Sequence, residues 1–259
     1  MGWRIRISRS RPPVDVEAVL ASAPFASRDA DVEELIRSAK DATLAGRATE
    51  AGALLDADVV AIVSWTRGGG LRSLFQPPPA PDGNGKPAPA TGRLEPKELG
   101  VHLFDGSGRY IGIVLAGSRA KTLDFVDRAG IAFSMTFWAA TPTTVFSGST
   151  SAQITMGQTG EIIGTYDQKG RGRVFGADGE LLGAVEVSKA DQHICLLSSS
   201  GHELAHFRLL SRRGRTKRRR YQFVSIVEFD RAASPQIRAL TLAGELCQEI
   251  QAQNDDSIG

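Results

Sequence analysis

The chain is short of most features that announce a chemistry. It has two cysteines in 259 residues, Cys195 and Cys247, both in apolar settings (Ile194-Cys195-Leu196 and Leu246-Cys247). Two such thiols do not make a disulfide framework, and they suit a reducing compartment. Long hydrophobic runs are missing. The most apolar stretch, Ile131 to Ala140, is far short of the ~20 residues that cross a bilayer. The opening Met-Gly-Trp-Arg-Ile-Arg has no apolar core of signal-peptide length. Arg6 stands where myristoylation of Gly2 requires Ser or Thr. There is no phosphate-binding glycine loop, no GxSxG elbow and no CxxC cluster. A net charge of only +2 argues against a general nucleic-acid binder. These absences lead to an expected cytoplasmic protein with no transmembrane segment and no cofactor.

What is present is a core and a change of texture along the chain. Hydrophobic residues make up 41%, enough to fold. Trp3, Ile5 and Ile7 alternate with Arg4 and Arg6, a short strand signal that Pro12 and Pro13 close off. Two helical patterns follow. One covers Val14 to Ala23. The other starts near Asp31, carries Val32, Leu35, Ile36 and Ala39 at helical spacing, and extends with a break at Gly46 to about Leu55. Val59 to Trp65 is a β-branched run that reads as a strand. Residues 77–92 (PPPAPDGNGKPAPATG) are low-complexity and read as a spacer.

Beyond the spacer the chain turns to short strands and tight turns. Leu99–Phe104 and Tyr110–Leu115 flank Asp105-Gly106-Ser107-Gly108. Ile131–Trp138 and Ile162–Tyr166 are further β stretches. Val174-Phe175 and Leu181–Val187 flank Ala177-Asp178-Gly179, and His193–Leu197 and Leu204–Leu210 flank Ser199-Ser200-Gly201. Each of the three flanked turns is a hairpin signal. Tyr221–Phe229 is the last strand. This pattern predicts a mainly β, antiparallel, closed or nearly closed sheet, with a short α-helical N-terminal region before it.

The clearest element is a C-terminal helix, with Ser234 as N-cap and Pro235 in its first position. Its polar residues Arg238, Thr241, Glu245 and Gln248 form a narrow stripe, set among Ile237, Ala239, Leu240, Leu242, Ala243, Leu246, Cys247 and Ile250. Such a helix needs walls on several sides. It either lies on one sheet face or is enclosed by a barrel.

The G-x-E-L-A-x-F strand entry at Gly201–Phe207, and the final strand feeding Ala233-Ser234-Pro235-Gln236-Ile237-Arg238-Ala239-Leu240, resemble the tubby C-terminal-like superfamily, in its LURP-one-related and phospholipid-scramblase-like branch. The resemblance covers residues 95–252 and is best over 160–250. It implies a β-barrel around a central C-terminal helix, with membrane-surface or phosphoinositide binding in some members. The chain departs from eukaryotic scramblases. It lacks a cysteine-rich palmitoylation segment and an acidic calcium-loop pattern, and its helix is too polar to span a membrane. Those departures argue against lipid flipping.

Three polar features could carry chemistry. His202-Glu203-Leu204-Ala205-His206 matches HExxH. On a helix, His202 and His206 would bind one zinc with Glu203 as general base. Here, though, a turn precedes the motif and Ala205, Phe207 and Leu209 alternate against His206 and Arg208, a strand pattern. His193, Cys195, His202 and His206 could instead form a non-catalytic metal site. A two-residue hairpin loop would put all four on one sheet face; the three-residue loop that Ser199-Ser200-Gly201 favours would split them. Ordinary surface histidines are the preferred reading.

The third feature is a basic run. Seven of the nine residues from 212 to 220 are Arg212, Arg213, Arg215, Lys217, Arg218, Arg219 and Arg220. It lies between two strands and reads as a hairpin loop. Such density repels itself unless an anion is near. Aromatic residues are not interleaved in it, which weakens a single-stranded nucleic-acid reading. Arg4, Arg6, Arg9 and Arg11 could add to the patch.

The expected organisation is an N-terminal helical region with flanking strands (1–76), a Pro/Gly-rich linker (77–94), a tubby-like β-domain with a C-terminal helix (95–252) and a disordered tail (253–259). The leading functional expectation is a non-enzymatic binding module whose basic hairpin meets acidic phospholipid headgroups or another polyanion, peripheral to a membrane. Its alternatives are a zinc metallopeptidase using His202, Glu203 and His206, and a structural or protein-interaction domain.

Overall fold

The computed structural model describes residues 53–67, 99–116, 122–137, 151–157, 159–168, 172–188, 193–215 and 220–255. The expected strand at 3–7, the helices before residue 53 and the linker at 77–94 lie outside these residues.

Twelve antiparallel strands close into one barrel. They are β1 (Val59–Arg67), β2 (Leu99–Asp105), β3 (Tyr110–Ala116), β4 (Thr122–Asp127), β5 (Gly130–Phe137) and β6 (Ser151–Met156). Then come β7 (Glu161–Asp167), β8 (Arg173–Gly176), β9 (Leu181–Ser188), β10 (His193–Ser198), β11 (Glu203–Arg215) and β12 (Arg220–Phe229). Strands β2 to β12 form a meander, each pairing with the next. β1 closes the ring by pairing with both β12 and β2. It comes from the region read as N-terminal, so barrel strands stand on both sides of the Pro/Gly segment. β4 and β6 are strands that pattern reading does not pick out. A short helix, α1 (Ala53–Asp56), precedes β1, and α2 (Pro235–Asp255) follows β12. α2 takes in the first three residues of the expected tail.

The enclosed-helix alternative is the one the fold adopts. Ala239, Leu240, Leu242, Ala243, Leu246 and Cys247 on one side of α2 are fully buried, and Arg238, Thr241 and Glu245 on the opposite side are buried as well. The walls answer them from within, with Phe125, Phe133, Met135, Ile154 and Val174 in the same core. Even the polar stripe is inside, and each member is satisfied, as buried polar groups must be. The Arg238 guanidinium reaches Asp58, and the Thr241 hydroxyl donates to Ile237 O. Ser225 Oγ donates to Glu245 Oε1 at 2.6 Å, and Gln248 Nε2 donates to the Tyr166 hydroxyl at 3.1 Å. The cap is as expected, with Ile237 N–H donating to Ser234 Oγ.

These contacts orient the helix. Gln236 meets Ile163, and Gln248 meets Tyr166, so α2 runs with β7. Arg238 lies over Phe229, and Glu245 meets Ser225, so it runs against β12. The barrel therefore has two unlike ends. The end holding the α2 N-terminus carries tight turns, such as Asp105–Arg109 and Gly176–Glu180. The end holding its C-terminus carries the connections β1–β2, β3–β4, β5–β6, β7–β8, β9–β10 and β11–β12.

One carboxylate ties the first helix to the barrel. Asp127, 1% exposed, accepts the Ala129 N–H on Oδ1 and the Leu54 N–H on Oδ2. Burial raises its pKa above the ordinary value of 3.8, helped by the nearby Asp56 charge and opposed by those hydrogen bonds. A raised acid favours the folded state in its protonated form, so this contribution is lost as pH climbs through the raised pKa. We expect Asp127→Asn to gain on the wild type in urea midpoint between about pH 4 and about pH 7. A gap that is constant or moves the other way would contradict this.

Candidate functional site

HELAH is not a helix. Glu203 to His206 form the start of β11, and His202 sits in the turn before it. His202 is exposed, with Nε2 3.6 Å from Asp230 Oδ2. Glu203 is buried and placed opposite Leu197, while His206 is opposite Cys195 on one side and Glu228 on the other. The two imidazoles do not share the face that a zinc helix would give them. Among the described residues, no group of three or more His, Cys, Asp or Glu could hold a metal ion.

The hairpin loop at 199–201 has the three-residue form, closed by Ser198 and His202 with Gly201 at φ 77°, a left-handed position that glycine fills without steric cost. The expected face swap is then undone. A bulge at Leu204 shifts the register, so Cys195 and His206 end up directly opposite each other. His202 is left outside the ladder, so the proposed four-residue set does not come together for a second reason. Two polar anchors had no local sequence signal. Arg208 forms an ion pair with buried Glu228 across β11 and β12, and Arg238 joins α2 to the α1–β1 turn.

The basic run becomes a long two-stranded extension of the barrel wall. Arg212, Arg213 and Arg215 belong to β11, and Arg220 opens β12. Lys217, Arg218 and Arg219 lie outside the described residues. The register adds a member that sequence reading missed. Arg215 is opposite Arg220, and Arg220 is opposite Arg67 of β1. Three arginines thus stand in one transverse row of adjacent strands, at the barrel end that holds the C-terminus of α2. Only the closure of β1 onto β12 brings Arg67 there. Like charges directly opposite on neighbouring strands disfavour pairing, whereas the negative end of a helix dipole favours nearby cations.

No family model, curated protein or solved structure matches this chain. No helix among the described residues is long and apolar enough to cross a membrane.

Proposed function

We propose that this protein is a non-enzymatic binding module that recognises anionic membrane surfaces through the β11–β12 hairpin. The observation that carries the reading is the arginine row Arg67–Arg220–Arg215, flanked by Arg212 and Arg213. Placing like charges in one row costs stability in the free protein. A multivalent anionic surface relieves that cost and adds about 1 kcal/mol for each basic residue that reaches it. The tubby-like, scramblase-like assignment is kept as part of this proposal. Its support is the closed barrel around a buried C-terminal helix, the architecture that the resemblance implies.

Flotation with phosphatidylcholine vesicles, with and without phosphatidylserine, tests the reading. Wild-type protein is expected to float with the anionic vesicles only. The triple variant Arg218→Ala, Arg219→Ala, Arg220→Ala is expected to bind them about a hundredfold more weakly, three charges at about 1 kcal/mol each. Equal wild-type binding to both vesicle types would sink the proposal.

A further inference from the structure

β11 is far longer than the strand on its open side. It runs 13 residues, Glu203–Arg215, whereas β10 runs 6, His193–Ser198. Their ladder ends where Ile194 meets Phe207. Past Arg208, the arm Leu209–Arg215 pairs with β12 alone among the described residues, with Leu210 bulged out of the register. β10 cannot lengthen to match it. His193 already pairs with Ser188 of β9, so only residues 189–192 turn the chain between them. The arm, at ~3.3 Å per residue, is about 20 Å long.

Exposure follows the missing neighbour. Leu209 lies opposite Ser225, whose hydroxyl donates to Glu245 of α2, so this pair takes the inner phase of the wall. Ser225 is fully buried, yet Leu209 is 48% exposed. The inner row Val227–Phe207–Ile194–Val187 behaves alike, passing from 0% exposed at Val227 to 40% at Val187. Burial is lost where the wall leaves β12 for the edge of β11.

A strand edge presents backbone N–H and C=O groups that either need protection or take up another strand. The charges along this one alternate with the pleat. Arg208 is opposite Ile226, which packs in the cluster outside the barrel interior, so Arg208 takes the outer phase. Past the bulge, Arg213 and Arg215 return to that phase, opposite Gln222 and Arg220. We propose that the free edge of β11, Leu209–Arg215, takes up an extended acidic peptide segment of a partner protein as an added strand. An added strand alternates as β11 does. Its acidic residues would fall on the outer face beside Arg213 and Arg215, where opposite charges on neighbouring strands attract. An apolar residue between them would fall on the inner face beside Leu209. Strand addition needs no membrane, and membrane binding needs no free edge.

Fluorescence anisotropy with the wild-type, full-length chain tests the idea, using a labelled heptapeptide of alternating Glu and Val. Two isomers carry backbone N-methyl groups, one on every Glu and one on every Val. They have the same charge, but their remaining N–H groups point to opposite sides. An added strand uses one side only. One isomer is therefore expected to bind like the parent peptide and the other about a hundredfold more weakly. Equal binding by the two isomers would reduce the interaction to charge alone and overturn the proposal. No binding of the parent peptide would also overturn it, leaving the arginines as protection against edge pairing. Arg213→Glu is expected to weaken the parent peptide about tenfold, and undiminished binding would place the peptide elsewhere.

Discussion

Replacing Gly244 by alanine is expected to destabilise the protein by about 1–3 kcal/mol, the usual cost of forcing an extra methyl into a packed core. The direction is informative because helix propensity alone predicts the reverse, by about 1 kcal/mol. Gly244 lies mid-way along α2, where a Cβ would come 2.6 Å from Tyr166 Cε2 and 2.7 Å from its Cδ2. The ring has nowhere to go. Tyr166 is 1% exposed, and its hydroxyl is held by Gln248. On its far side it meets Gly172, where a Cβ would come 2.4 Å from that same hydroxyl. The ring is a plate clamped between two glycines, one on the helix and one on the wall. Urea denaturation of wild type and Gly244→Ala measures the effect. Combining Gly244→Ala with Tyr166→Leu is expected to cost less than the two single changes together, because the clash disappears with the ring. An alanine variant as stable as wild type would show that the helix can shift within the barrel.

Most of this barrel was legible where its signals are local. The three Asp-Gly or Ser-Gly turns each join adjacent strands, as their sequence predicts. The narrow polar stripe on α2 correctly demanded walls around it. Signals failed where the deciding contact is distant. β4 reads TLDFVD and turns through Arg128-Ala129, with no Asp-Gly to mark it. β6 reads SAQITM, in which Ala152 and Ile154 are buried in the core and Met156 packs against it, among polar residues. β1 is a recognisable strand, but nothing near it states that its partners are β12 and β2.

The candidate site shows the same division. The basic run is visible as composition, yet the row through Arg67 exists only once residues 67 and 220 are paired. The HELAH match was correctly assigned to a strand from its alternation. Cys195 and His206 share a face, as weighed for a two-residue loop, but here a three-residue loop is followed by a bulged residue, Leu204, that restores the register.

Arg238→Ala should be the most damaging of the polar substitutions, at about 2–4 kcal/mol. The side chain is 6% exposed and serves four partners at the turn end of the barrel. Its Nε donates to Ala233 O at 3.0 Å and its Nη1 to Ala57 O at 2.6 Å. Its Nη2 donates to Asp58 Oδ1 at 2.9 Å, and the guanidinium lies over the Phe229 ring, 5.3 Å from its centre. It thereby ties the α1–β1 turn to the end of β12 and the first turn of α2, which lie far from that turn along the chain. Alanine would leave two carbonyl oxygens without a donor and a void beside Phe229. The ion pair itself is the smaller part. Asp58 is 37% exposed, so water screens it, and Asp58→Asn is expected to cost less than about 1 kcal/mol. Comparing the two variants by denaturant unfolding separates the roles. If Asp58→Asn costs as much as Arg238→Ala, the anchor is electrostatic. If it costs little, the carbonyl bonds and the packing hold the helix in its barrel, which is the outcome this geometry requires.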